Sequence, residues 1–350
     1  MAGHAPVGGH PAQHSFAPRG GALPAAVDAR GSRISSGGGP AGRPRPVTSR
    51  ARVSVPASSG NLGAGFDVFG LAIDVRDEYQ FEPSSRDSIE PAGKFLKHVP
   101  RDTRRNLAFR AFRSLAPAAA GPYRLHAVRE IPPQGGLGGS ASAIVGGLVA
   151  ANHAFSLSLT DDELLRRATE IEGHPDNVAA ALLGGLVLTV QADDDLHAVR
   201  VPFPDDIGIV VVVPGYHVPT ARARAVLPTN VTRSDAVSNL GRSAMLVAAL
   251  QTGRYAELRV ATQDFIHQPY RAELNPALEP GVQAALDAGA YGAALSGSGP
   301  TLIAFAPKDR TMRVAGAMAD VAIDASSGCE TYVANAAETG AAVMEPLAST

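Results

Sequence analysis

The sequence predicts an α+β fold of two lobes, and three observations lead there. A chain of 350 residues, 45% apolar and 18% charged, is an ordinary globular protein, long for one domain and sufficient for two lobes. Its apolar segments read as strands and helices in mixed order, without the regular βαβ alternation of a parallel sheet. A second series of elements begins past Pro204. The expected division is therefore an extension at 1–49, an N-terminal lobe at 50–204 and a C-terminal lobe at 205–350.

Residues 1–49 are rich in Gly, Pro, Ala, Ser and Arg, and Asp28 is their only acid. They show no apolar periodicity, so little can be buried to offset chain ordering. A disordered extension is expected there, in preference to an organelle-targeting peptide. Order is expected from 50–56, which alternates like a strand, followed by a Ser/Gly/Asn loop at 57–65 and an apolar segment at 66–75. Residues 76–101 read as strand and loop on a charged surface. Helical spacing covers 106–115, and Tyr123–Val128 reads as a strand.

A glycine-dense turn after Ile131 opens into a helix over 140–155. That helix is almost wholly Ala, Val, Ile and Gly, which predicts burial on all sides. Thr160-Asp-Asp-Glu163 is a capping box, and its helix should end near Gly173. A helix at Asp176–Leu183 and a strand at 184–191 complete the first lobe. In the second, 207–213 is a buried β-branched strand and 235–252 a long helix, with another helix near 254–267. A helix at 278–288 and strands at Gly292–Leu295 and 301–306 follow.

Composition narrows the function. A net charge of −2 advertises neither nucleic acid nor an anionic membrane as a partner. No run reaches the roughly 18–20 apolar residues of a membrane span. The single cysteine, Cys329, excludes an internal disulfide and a cysteine-built metal site, which makes a reducing cytoplasm the expected compartment. Lys94, Lys97 and Lys308 are the only lysines.

Four motifs carry chemistry. In Ile131-Pro-Pro-Gln-Gly-Gly-Leu-Gly-Gly-Ser-Ala-Ser-Ala143, glycines let backbone N–H groups converge at a helix start, whose dipole adds about half a positive charge. A phosphate is the expected guest, and a glycine-lined helix packing site is the bland alternative. The lysine of a P-loop is missing. Gly136-Leu-Gly-Gly-Ser-Ala141 matches a dinucleotide pattern in form, but prolines precede it and Asp161-Asp162 belong to the capping box. Gly173-His-Pro-Asp-Asn177, beside Glu170 and Glu172, suits Mg²⁺ with the Ser140 hydroxyl, or plain helix capping. In Pro56-Ala-Ser-Ser-Gly-Asn-Leu-Gly-Ala-Gly-Phe-Asp-Val-Phe-Gly70, Asn61 and Asp67 suit an ammonium group or an Asx turn. Ser296-Gly-Ser-Gly-Pro-Thr301 reads as a tight hairpin, or as backbone pressed against the first loop or a ligand.

In this order, the four motifs resemble the galactokinase, homoserine kinase, mevalonate kinase and phosphomevalonate kinase (GHMP) superfamily. His-Pro-Asp-Asn, Asn-Leu-Gly-x-Gly-Phe-Asp, Thr220-Ala-Arg-Ala-Arg224 with Leu227-Pro228, and Gln268-Pro-Tyr-Arg271 look like homoserine kinases in particular. The resemblance spans the chain from about residue 50 to its last strand and implies the two-lobed GHMP-kinase fold.

It also implies ATP as co-substrate, Mg²⁺, and L-homoserine as the acceptor, in threonine biosynthesis. By resemblance, Pro132, Pro133, Gln134, Gly135, Gly136, Leu137, Gly138, Gly139, Ser140, Ala141 and Ser142 wrap the ATP phosphates. Ser140 and Glu172, with Glu170 as the alternative, hold the metal. Asn61, Asp67, His174, Thr220, Arg224 and Arg271 surround the substrate, the two arginines taking its carboxylate. Asn177 sits near the attacking hydroxyl, and Asp176 occupies the general-base position of several superfamily relatives. A homodimer is implied as well. Two departures stand out: the phosphate loop has Gly139 in place of a usual serine and Gln134 where a small residue is common, and Gly60 enters the first loop where Ser-Ala-Asn is usual, which is expected to loosen the substrate side. A kinase for another small hydroxylated acid and a non-catalytic ligand sensor are the rival readings.

Overall fold

The computed structural model describes residues 50–133, 135–193 and 195–345. The extension expected at 1–49 and the phosphate-loop residue Gln134 lie outside the described residues. The chain opens with two long antiparallel strands, β1 (Ala51–Asn61) and β2 (Gly65–Pro83). It continues through β3 (Ser88–Ala92), α1 (Leu107–Leu115), β4 (Tyr123–Val128), α2 (Gly139–Ala154), α3 (Asp161–Glu172), α4 (Asp176–Leu183), β5 (Leu186–Ala192) and β6 (Asp195–Val201). Then come β7 (Ile207–Pro214), α5 (Thr220–Ala225), α6 (Arg233–Thr252), α7 (Leu258–Ala261), α8 (Gln268–Arg271), α9 (Leu278–Asp287), β8 (Gly292–Leu295), β9 (Leu302–Pro307), α10 (Thr311–Ala325), β10 (Cys329–Ala334) and β11 (Ala342–Met344).

Two sheets result. The first runs β11-β1-β2-β4-β3, with β5 also paired to β2 and β6 paired to β5; the second runs β10-β7-β9-β8. α1 to α4 supply one core against the first sheet, with Phe81 and Phe112 stacked at 4.0 Å. Strand β7 is buried throughout: Ile209 and Val211 join the core shared with the first sheet, while Val210 and Val212 pack beneath α9 and α10. A strand covered on both faces needs the unbroken apolar run that its sequence shows. Among the described residues no helix is long and apolar enough to cross a membrane.

Several expectations change. The loop expected at 57–65 shrinks to 62–64, because Ser58, Ser59 and Gly60 continue β1 and pair with Ala72, Leu71 and Gly70. The helix expected near 254–267 stops at Ala261; beyond it the Asp264 carboxylate gathers the N–H groups of Ile266, His267 and Gln268 into a turn. The C-terminal lobe is not self-contained from residue 205, since β11 pairs with β1 and Ala336 bridges to Ile73. The capping box is present, with Thr160 Oγ1 accepting from Glu163 N–H and Glu163 accepting from Thr160 N–H at 2.8 Å.

Candidate active site

A cleft of about 500 Å³ opens where the turns after β1, β4 and α3 meet the α5 and α8 segments. Its first wall is the turn between β1 and β2. Asn61 and Asp67 both adopt positive φ, at 72° and 55°. Such residues tolerate that region, and departures of this kind gather at functional sites. Each end of the Asn61 amide has a partner: Oδ1 accepts from Asp67 N–H at 3.0 Å, and Nδ2 donates one N–H to the Gly297 carbonyl at 2.8 Å, while the residue also lines the cleft. Asn61 therefore shapes the wall and ties it to the Ser296-Gly-Ser-Gly-Pro turn.

Asp67 meets Arg224 of α5 as a bidentate pair at 3.0 and 2.7 Å. The hydrogen bond to Asp67 raises the Arg224 pKa above its already high value. Arg271, on α8, is buried; Nε donates to the Ala223 carbonyl and Nη1 to the Gly297 carbonyl and His267 Nδ1. Burial, then the neighbouring Arg224, lowers its pKa to about 10, so it stays a cation at neutral pH. The Phe66 ring lies under both guanidinium groups, at 5.7 and 5.4 Å, and holds them side by side. Thr220 lines the same end and bonds Ser298 Oγ at 3.2 Å.

The second wall is the α3–α4 turn. Gly173, at φ 93°, ends α3 in the left-handed conformation and turns the chain so that His174 Nδ1 reaches Asp176 Oδ1 at 2.6 Å. Burial opposes the charged ring, but the Asp176 bond and the nearby Glu172 carboxylate outweigh it and raise the His174 pKa. Asn177 Oδ1 accepts from Ser58 Oγ at 3.0 Å. Glu172, on the last turn of α3, accepts from Ser140 Oγ at 2.5 Å. Glu170 is exposed and away from the cleft, so of the two acids only Glu172 meets Ser140. Asp67, His174 and Asp176 also bring ligand atoms within 4.8 Å of one another.

The third wall is the glycine loop. Gly138, at φ 65°, precedes the 16-residue α2, and a Cβ there would collide with Ser58 Oγ. The loop is stitched to its neighbours: Thr301 N–H donates to the Gly135 carbonyl, Ser58 N–H to the Leu137 carbonyl, and Ser296 Oγ bonds the Gly136 carbonyl. Pro133, Gly135, Gly136, Gly138, Gly139 and Ser140 line the cleft. Pro132, Leu137, Ala141 and Ser142 do not; they are buried behind it. Ser142 in particular bonds Tyr79 Oη at 3.1 Å, and its N–H is taken by the Gly138 carbonyl.

Gly60 does not loosen the substrate side. Its carbonyl accepts from Gly297 N–H at 3.0 Å, and a Cβ there would strike the Asp176 carboxylate, so glycine lets α4 press against β1. Two features of the site carry no signal in the sequence. One is the arm of the cleft lined by His98, Pro100, Arg105, Leu107 and Val128, for which no local motif gives a signal. The other is Arg129, whose Nε and Nη1 bond the Ile131 and Gly139 carbonyls on either side of the loop. Behind it the buried Asp77 accepts the N–H groups of Glu130 and Ile131 at 2.8 and 2.9 Å; burial raises its pKa, against the pull of Arg129.

Comparison with known proteins agrees with this arrangement. The sequence pattern of the GHMP kinases N terminal domain matches residues 106–185, and that of the GHMP kinases C terminal matches residues 246–323. The homoserine kinase of Desulfitobacterium hafniense is 40% identical over 296 residues, 84% of this chain and 99% of that one. That of Deinococcus radiodurans is 42% identical over 265 residues, 75% of this chain and 84% of its own. The crystal structure of homoserine kinase from Cytophaga hutchinsonii superposes with a TM-score of 0.75 at 31% identity, covering 85% of this chain and 98% of that chain. The fold extends to L. major mevalonate kinase, at a TM-score of 0.64 and 18% identity over 84% of this chain and 98% of that chain. With the loops, the cleft and these relatives in agreement, the chain belongs to the homoserine kinase family of the GHMP kinases.

Proposed function

We propose that the protein transfers the γ-phosphoryl group of ATP to the side-chain hydroxyl of L-homoserine, giving O-phospho-L-homoserine for threonine synthesis. One observation carries this reading: the Asp67–Arg224 pair shares a single cleft with the glycine loop at the start of α2. A homoserine zwitterion offers Asp67 an ammonium and Arg224 a carboxylate, so it replaces their mutual pairing charge for charge. Arg271 adds a second guanidinium to the carboxylate.

The loop residues Gly135, Gly136, Gly138, Gly139 and Ser140 receive the nucleotide phosphates, and the arm beside Leu107 and Val128 receives the nucleoside. Ser140 and Glu172 fit Mg²⁺: a hydroxyl and a carboxylate side by side at the cleft, leaving further positions for water and phosphate oxygens. The ion would neutralise charge on the transferring group. Asn177 and Asp176 place the attacking hydroxyl. His174 already engages the Asp176 carboxylate, and a loose transition state develops little nucleophile charge, so positioning outweighs base catalysis. On the family resemblance alone, the same reading takes the enzyme as a cytoplasmic homodimer.

Coupled ADP release, measured with homoserine, threonine, serine, mevalonate and galactose, tests the reading. Turnover should be highest on L-homoserine. Preference for another hydroxylated acid would favour a different acceptor, and turnover on none would favour a ligand sensor.

A further inference from the structure

Gly139 opens α2, and the space beside its Cα is filled. A Cβ there would collide with Nη2 of Arg129, and Cζ of the same guanidinium would lie only 3.2 Å away. Arg129 is fastened on three sides. Nε donates to the Ile131 carbonyl and Nη1 to the Gly139 carbonyl, each at 3.1 Å, and Nη1 lies 3.3 Å from Asp77 Oδ2. Asp77 does not depend on Arg129 alone, because two backbone N–H groups and the Tyr79 hydroxyl also bond it. The arginine side chain is 17% exposed, and that exposure is to the cleft. Its fork is thus held with Nη2 over the first residue of α2, beside Gly138 and Ser140.

The phosphate end of the cleft has no lysine in its loop, while Arg224 and Arg271 stand at the acceptor end. Helix amides and a metal ion leave part of the charge on a nucleoside polyphosphate unmet, and a planar guanidinium suits phosphate oxygens. We propose that Arg129 is the fixed cation of the phosphate loop, contacting a phosphate oxygen of the nucleotide, and that Gly139 is glycine because any side chain there would displace it. The proposal rests on the reading of the loop as a nucleotide site. It makes the glycine a required partner of Arg129.

Equilibrium binding of ADP and of adenosine to the full chain, without acceptor, tests it. Arg129→Gln should weaken ADP about tenfold or more and leave adenosine unchanged, since only the phosphates meet the charge. Arg129→Lys should recover most of that loss, whereas a neutral clamp of the loop would gain nothing from a lysine. Gly139→Ser should weaken ADP about tenfold beside Arg129 and add little in the Arg129→Gln background, the coupling expected of touching residues. The proposal fails if Arg129→Gln binds ADP like the unaltered protein. It fails equally if lysine does no better than glutamine, or if Gly139→Ser has the same effect in both backgrounds. If the unaltered protein binds no ADP, the nucleotide reading itself falls.

Discussion

Arg224 and Asp67 stand 157 residues apart in sequence and close on each other as a bidentate pair at 3.0 and 2.7 Å. Both side chains are about one-third exposed, so the pair adds at most about 1 kcal/mol to stability. On the proposed function its value is that the ammonium and carboxylate of an amino acid can replace the two partners charge for charge. Asp67→Asn should raise the KM for L-homoserine about ten- to a hundredfold, with the KM for ATP changed less than about twofold. Steady-state kinetics with each substrate varied would show this. An equal rise for both substrates would remove Asp67 from the acceptor end.

Glu172 touches Ser140, and Glu170 faces solvent. Glu172→Gln should therefore lower kcat about a hundredfold and shift the Mg²⁺ concentration needed for half-maximal rate upward. Glu170→Gln should leave both unchanged. A Mg²⁺ titration of the two variants separates them, and a reversed order would return the role to Glu170.

Arg271, proposed above as an acceptor-site cation, is also an internal strut. Arg271→Leu should raise the homoserine KM more than about tenfold with a smaller change for ATP. It should also lower stability by about 2 kcal/mol, because the carbonyls of Ala223 and Gly297 lose a charged donor. Denaturant unfolding run beside the kinetics would detect the second effect, which a purely substrate-binding residue would lack.

Glu82 gives a pH signature in the first sheet. Burial alone would raise its pKa, but hydrogen bonds from His126 and Arg124 on β4 outweigh it and hold the carboxyl below the ordinary 4.5. A carboxylate depressed on folding stabilises the fold above that ordinary value and loses the contribution as pH falls through the lower folded value. The Tm difference between the unaltered protein and Glu82→Gln should be full at neutral pH and close below about pH 4.5. A gap that widens in acid would contradict the assignment.

The residues of the site were legible because their chemistry is unusual in sequence. A lysine-free glycine loop, His-Pro-Asp-Asn and a Ser-Gly-Ser-Gly-Pro turn each restrict what a chain can do locally, and their order restricts it further. The small polar run at Ser58, Ser59 and Gly60 misled, because low β-propensity suggests a loop. Tertiary context overrides it: these residues pair with Ala72, Leu71 and Gly70, and a side chain at Gly60 or Gly70 would collide with Asp176. Asn61 lines the cleft, as expected of a substrate group, but its second duty of joining two turns through its amide is not visible in residue type. Arg129 left no trace, since a lone arginine two residues before Ile131 belongs to no pattern. Strand β11 was equally silent, because three residues cannot announce that the chain returns to its first sheet.

The most direct test of the central claim follows the product. Incubated with Mg²⁺, ATP and L-homoserine, the protein should release ADP and O-phospho-L-homoserine in equal amounts by ³¹P NMR, and 4-hydroxybutyrate, which lacks the ammonium, should yield far less phosphorylated product. ADP release that does not depend on homoserine, or equal phosphorylation of both acceptors, would contradict the account.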